Sequence, residues 1–183
     1  MLKTSLLRRG QNMGAKRAVR SSQRGIMIIE AMVSIMIVML GILGIAGLLA
    51  KSTVVAGQAQ YRTEAGMFAD QIVQMIALNV DRTSDATLAT SLMEFQHQPT
   101  GAVVAKEDCA FTGDAVDENT PLGELLKAAR GQMANVAGLP GAEDGGQQVK
   151  VETGKNNKVT VTLCWKSPGD GAMRNYQIQA FVH

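Results

Sequence analysis

Aromatic side chains are scarce in this 183-residue chain, which has four Phe, two Tyr and one Trp. With few large rings and 19 glycines, its polar part can build a modest core and not a large one. Nucleic acid is not an expected partner of the body of the protein. Its basic residues (Lys51, Arg62, Arg82, Lys106 and those beyond) are scattered and nowhere interleaved with aromatics. Catalytic signatures are missing as well. No Gly-x-Ser-x-Gly, phosphate-binding loop or His-Glu-x-x-His occurs, and the two histidines, His97 and His183, stand alone. Nothing here supports an enzyme, a cofactor or a metal. The acidic group Asp114, Asp117, Glu118 and Asn119 has the composition of a calcium loop without the EF-hand pattern, and reads better as a solvated loop leading into a helix.

Acid is absent from the first 25 residues, which carry Lys3, Arg8, Arg9, Lys16, Arg17, Arg20 and Arg24. The formal charge of the whole chain is +2. Those seven account for part of the 18 basic residues; without them 11 basic residues face 16 acidic ones, a net of −5. Cysteine is limited to Cys109 and Cys164, whose spacing is nothing like a metal-ligand pair. In an exported domain the natural reading is an oxidised pair. It would close a loop of roughly 55 residues, worth about 4 kcal/mol in the chain-entropy model. Two buried free thiols are the alternative at this level.

What is present is a long greasy segment. Residues 26–50 are apolar or small apart from Glu30 and Ser34. As a helix they span roughly 37 Å, against a bilayer core of about 30 Å. The basic flank predicts a cytoplasmic N-terminal side and an outward C-terminal domain. Residues 51–79 continue the helix differently, with Tyr61, Ala65, Phe68, Ile72 and Met75 forming one stripe. No Pro interrupts residues 26–79. The expected object is one helix, apolar all round in its first half and amphipathic in its second.

Residues 80–146 show one clear signal. Thr120-Pro121 before Leu122, Leu125, Leu126 and Ala129 predicts a short helix with Thr as cap. Beyond the Gly-rich loop 138–146, alternation predicts strands over Gln147–Glu152, Lys158–Lys166 and Asn175–His183, an antiparallel meander within 147–183. The fold class expected is α+β: a long N-terminal helix packed, through its second half, on a small C-terminal antiparallel sheet. The domain order is leader 1–25, apolar half-helix 26–50, amphipathic half-helix 51–79 and exposed domain 80–183.

The junction Arg24-Gly25-Ile26-Met27-Ile28-Ile29-Glu30 is the most informative stretch. A carboxylate at the centre of a membrane helix costs about 2.5–3.5 kcal/mol on insertion scales, and less near its end. Glu30 could simply reach the headgroups. A cut after Gly25, however, would give Ile26 a free positive amine for Glu30 of an adjacent subunit to pair with. That pair would set the register of helices otherwise held by nonspecific apolar contact. Gly41, Gly44 and Gly47 read equally as a close-packing face or as ordinary membrane-helix glycine, since their spacing of three drifts around the helix.

This junction resembles the class III signal sequence of type IV prepilins and pseudopilins: basic leader, Gly before the cut, apolar residues after it, Glu at the fifth mature position. The resemblance is strong over about residues 20–79. Ile28-Ile29-Glu30-Ala31-Met32-Val33 and Gly41-Ile42-Leu43-Gly44-Ile45-Ala46-Gly47-Leu48 are most similar to the PilV group of minor pilins, the type IV pilus modification proteins. The resemblance implies cleavage by prepilin peptidase between Gly25 and Ile26 and methylation of the Ile26 amine. It implies other minor and major pilins and the inner-membrane assembly platform as partners. The path implied runs from the inner membrane, with a periplasmic C-terminal domain, to the pilus and cell surface, with roles in pilus assembly at or near the tip. Three features depart from the family pattern: Ile26 where Phe or Met is usual, a 25-residue leader that Met13 would shorten to 13, and glycines where major pilins often carry Pro. Type II secretion pseudopilins share the junction. A periplasmic protein on an uncleaved anchor, and ordinary secretion with a cut near Ala56, are the other readings; the apolar stretch is too long for the last.

Overall fold

The computed structural model describes residues 24–104, 108–169 and 171–183. Most of the basic leader, Met13 included, lies outside the described residues. The chain divides into two compact units, 1–49 and 50–183.

Helix α1 runs Arg24–Asn79. In the first unit it presents side chains that are exposed from Met27 onward. The segment from Met27 has a mean hydropathy of 2.6 in its most apolar window, and none of that window is buried. By length and composition it can cross a membrane. Ser34 removes its own polar cost by donating its hydroxyl to the Glu30 carbonyl, 2.7 Å away. The helix is unbroken across Gly41, Gly44 and Gly47, and a Cβ added at any of them would meet nothing within 4 Å.

Within the second unit the same helix carries a buried stripe of Ala65, Ala69, Ile72 and Ile76, all fully buried. The predicted Tyr61, Phe68 and Met75 flank this stripe and are half-buried. The stripe therefore runs from small residues, Ala65 and Ala69, to large ones, Ile72 and Ile76. Beside the stripe, Gly66 has the Tyr176 ring 3.5 Å from where its Cβ would be. The helix stops at Asn79, whose side chain donates back to the Met75 carbonyl (2.8 Å). Arg82 then donates to the C-terminal His183 carbonyl at 2.9 Å, tying the helix end to the last strand.

Two short helices follow the expected chemistry to different degrees. α2, Asp85–Met93, was not anticipated; it is capped by Ser84, whose hydroxyl accepts from the Thr87 amide while Thr87 reaches back to the Ser84 amide. A Thr stands where that motif usually carries Glu or Gln, which hides it. α3, Pro121–Ala129, has the predicted start: Thr120 accepts from the Gly123 amide and Pro121 occupies the first turn. Leu122, Leu126 and Ala129 are its buried face.

The meander is β3 (Gln147–Glu152), β4 (Lys158–Trp165) and β5 (Arg174–Phe181), antiparallel in that order. Val149 pairs with Val161 and Val161 with Ile178. Alternation sends Val149, Val151, Val159, Val161 and Leu163 into one cluster with Ile72, Ile76 and Leu92. Each such side chain contributes about 1.5–3 kcal/mol on burial. A separate hairpin, β1 (Thr100–Val104) with β2 (Asp108–Thr112), was also unanticipated. Gly101 interrupts its alternation; it has φ +99°, and a Cβ there would run into the Ala110 carbonyl oxygen. The architecture is the expected α+β one, a pilin-like long helix packed on a small antiparallel sheet.

Candidate functional site

Gly25 and Ile26 fall in the first turn of α1. Glu30 lies one turn further, a rise of about 6 Å from Ile26. It is exposed among Met27, Ile28, Ile29, Met32 and Val33, each at least half exposed. Among the described residues no side chain donates to its carboxylate. Chemically this is an acid on an apolar rod, placed one turn from the proposed new terminus.

The two cysteines are joined. Cys109 on β2 and Cys164 on β4 form a disulfide with Cα atoms 6.3 Å apart. Cys164 belongs to the β4 set that alternates away from Val161 and Leu163, so the bond lies on the sheet face opposite the α1 core. Phe111 is buried beside it, and Val103 and Met173 pack on the pair. The bridge thus adds a covalent tie where Gln148 of β3 already donates its side-chain amide to the Gln98 and Thr100 carbonyls at the hairpin's start (3.1 and 3.5 Å).

A polar knot went unseen in the sequence. His97 forms an antiparallel bridge with Val149, its amide donating to the Val149 carbonyl (3.0 Å) and its carbonyl accepting from the Val149 amide (2.9 Å). Its Nδ1 accepts from the Val116 amide at 3.3 Å, and its Nε2 lies 3.8 Å from Asp144. Burial holds the imidazole below its ordinary pKa, against the pull of Asp144 and with the help of Arg130. Arg130, at the end of α3, pairs with Asp144, donates to Gln147 Oε1 (3.2 Å) and lies 3.5 Å from Glu118. Its side chain is 3% exposed, against 56% for Asp144. Gln147, fully buried, donates to the Leu126 carbonyl at 3.1 Å. The knot fastens α3, the 144–146 turn and the edge of β3 together. Nothing local marks it, because its members come from four separate segments; buried Gln147-Gln148 at a strand start was the one available hint.

The acidic loop is committed to structure. Asp117 Oδ1 accepts from the Asn119 amide (2.8 Å) and side chain (3.0 Å), and Glu118 pairs with Lys127 at 2.9 Å. That Lys127 hydrogen bond holds the Glu118 carboxyl below its usual range. Among the described residues no three His, Cys, Asp or Glu side chains gather as a metal centre. The chain matches no protein-family model, no curated protein and no solved structure.

Proposed function

We propose that this chain is a minor pilin of a type IV pilus, a structural subunit of PilV type that is cut by prepilin peptidase between Gly25 and Ile26 and takes part in pilus assembly near the tip. The observation that carries the reading is Glu30, exposed and without a side-chain donor among the described residues, within an exposed apolar helix and one turn from Ile26.

The physical sequence of events follows from that placement. Before cleavage the apolar half of α1 sits in the inner membrane with its basic flank in the cytoplasm. Cleavage gives Ile26 a positive amine, which the same peptidase methylates without removing the charge. Moving from lipid into a bundle of like helices exchanges apolar contact for apolar contact, so little energy distinguishes one axial register from another. A Glu30 carboxylate paired with the Ile26 amine of a neighbour supplies that distinction, since a buried charge left without its partner costs about 3–5 kcal/mol. The disulfide and the helix-on-sheet core then hold the exposed domain together outside the cell.

Mass spectrometry of the mature N-terminus tests the reading. A chain starting at methylated Ile26 supports it. A start at Met1 or Met13 makes the helix an uncleaved anchor, and a start at Gly57 makes it a secretion signal. Type II secretion pseudopilins share the junction; deleting the gene and scoring surface pili against secreted enzymes separates the two machines.

A further inference from the structure

The face of the meander turned away from α1 carries side chains that the core does not use. Alternation brings Gln148, Thr162 and Gln177 into one row across the three strands, and Lys150, Thr160 and Gln179 into the next. Glu152, Lys158 and Phe181 make the third row. The β1–β2 hairpin, tied to Cys164 on this same face, walls one side with Gly101, Ala102 and Val103. Between hairpin and sheet lies a groove of about 420 Å³, within the roughly 300–1,000 Å³ of small-ligand sites. Its floor is closed: Thr162 is fully buried, and Thr160 and Gln148 are 6% and 5% exposed. Gln177 and Gln179 stand exposed at its rim. The Gln177 amide is steadied there by donating to Thr162 Oγ1 at 3.2 Å.

An amide side chain offers a carbonyl acceptor and two N–H donors in one plane, and a threonine hydroxyl both donates and accepts. A ligand that satisfies such a lining must itself donate and accept at closely spaced points without carrying charge. The hydroxyls of a sugar do this. Phe181 supplies the other half of the chemistry. It is 56% exposed and belongs to neither apolar cluster, so the core does not account for it. It stands on the same face two residues beyond Gln179, about 7 Å along the strand. The face of its ring, negative at the centre, suits the weakly positive C–H face of a pyranose. The charges argue against a polyanion. Lys158 is held by Glu152 at 2.6 Å, and the Glu152 carboxylate, in the same row as Phe181, repels the phosphate of any nucleotide stacked on that ring.

We propose that this groove binds a neutral glycan, with Gln177 and Gln179 bonding its hydroxyls above the Thr160 floor and Phe181 stacking on its C–H face. The site lies wholly within the 50–183 unit, so it holds or fails apart from the pilus reading.

The full chain, kept in a polyoxyethylene detergent so that no glycoside is carried in, is applied to an array of neutral hexose, neutral N-acetylhexosamine and sialylated oligosaccharides, with a single-stranded oligothymidylate beside them. The expected result is binding confined to neutral glycans. For the best of these, Gln179→Ala and Phe181→Ala each weaken binding at least about tenfold. Phe181→Trp retains it, and Met67→Ala, at an exposed position of α1, leaves it unchanged. Both groove positions are exposed, and an unaltered melting temperature shows that the two alanine variants are folded. No neutral glycan bound, or binding equal to the parent's in Gln179→Ala and Phe181→Ala, overturns the site. A preference for sialylated glycans or for the oligonucleotide overturns the neutral ligand and makes this face an anion-binding one.

Discussion

Cys164 faces away from the α1 core on β4, and its bond to Cys109 is the covalent tie between the β1–β2 hairpin and the main sheet. The hairpin has only Phe111 buried beside the bridge, with Val103 and Met173 half-covered. Two-stranded hairpins are marginal in water without such help. The main cluster, by contrast, is built from α1, α2, α3 and the three-stranded sheet and contains neither cysteine.

Replacing both cysteines by Ser should therefore cost stability without abolishing the helix-on-sheet core. The expected loss is about 2–4 kcal/mol, read as a lower melting temperature than that of the oxidised parent's exposed domain. Limited proteolysis should cut first within residues 100–112. Equal electrophoretic mobility with and without reductant in the parent would remove the bridge and this prediction with it.

Glu30→Ala should insert into membranes as well as the parent, since it deletes a charge from an apolar helix. Its incorporation into pili should fall at least about tenfold, the loss expected when a buried amine is left without its counter-charge. The measurement is subunit content of sheared pili against the membrane pool. Unchanged content would sink the pairing.

The parts of the fold legible in the sequence are those whose signal is periodic or local. The apolar run and the absence of Pro mark α1, Thr120-Pro121 marks α3, and alternation at Val159, Val161 and Leu163 marks the central strand. α2 is hidden because Thr87 substitutes for the usual acid of a capping box. The hairpin is hidden because Gly101 breaks its pattern and its partner across the disulfide is 55 residues away. The predicted stripe on α1 shares Ala65 and Ile72 with the fully buried one and takes Phe68 and Met75 where Ala69 and Ile76 are buried, because Ala69 looks weakly apolar until a sheet packs on it. Of the sites, Glu30 is legible as a charge in the wrong company. The His97–Arg130–Asp144 knot depends on tertiary neighbours, and a lone His reads as ordinary core.

Within the knot, the two members of the Arg130–Asp144 pair should not be equivalent. Arg130 is almost fully enclosed and Asp144 is more than half exposed. Asp144→Ala leaves a buried guanidinium with Gln147, Gln132 and the Glu118 carboxylate 3.5 Å away, and should cost about 2–3 kcal/mol. Arg130→Met keeps the packing of the long side chain and leaves an acid that water can reach, so it should cost about 1–2 kcal/mol. Denaturant midpoints of the two variants give the order. The reverse order would mean that the salt bridge is held by Asp144's surroundings and not by burial of Arg130.

Acid should weaken the exposed domain in two separable windows. His97 is held below its ordinary 6.5 by burial, so above that value both states are neutral and its contribution is level. As pH falls below 6.5 the unfolded imidazole takes a proton that the folded one resists, and stability is lost down to the folded value. The charged groups that face it are Asp144, which favours the proton, and Arg130, which opposes it; Glu118 lines the same small cavity. Glu152 is held down at about 2 by hydrogen bonds from Lys158 and Lys155. Its contribution is present above the unfolded value of 4.5 and is lost as pH falls from there towards 2. Denaturant melts of the parent, His97→Gln and Glu152→Gln across pH 7.5 to 3 should show the first variant flattening only the upper window and the second only the lower. The amide oxygen introduced by His97→Gln is still an acceptor for the Val116 N–H, which keeps the comparison one of charge. A parent whose stability is level from pH 7 to 5 would contradict a buried, neutral His97.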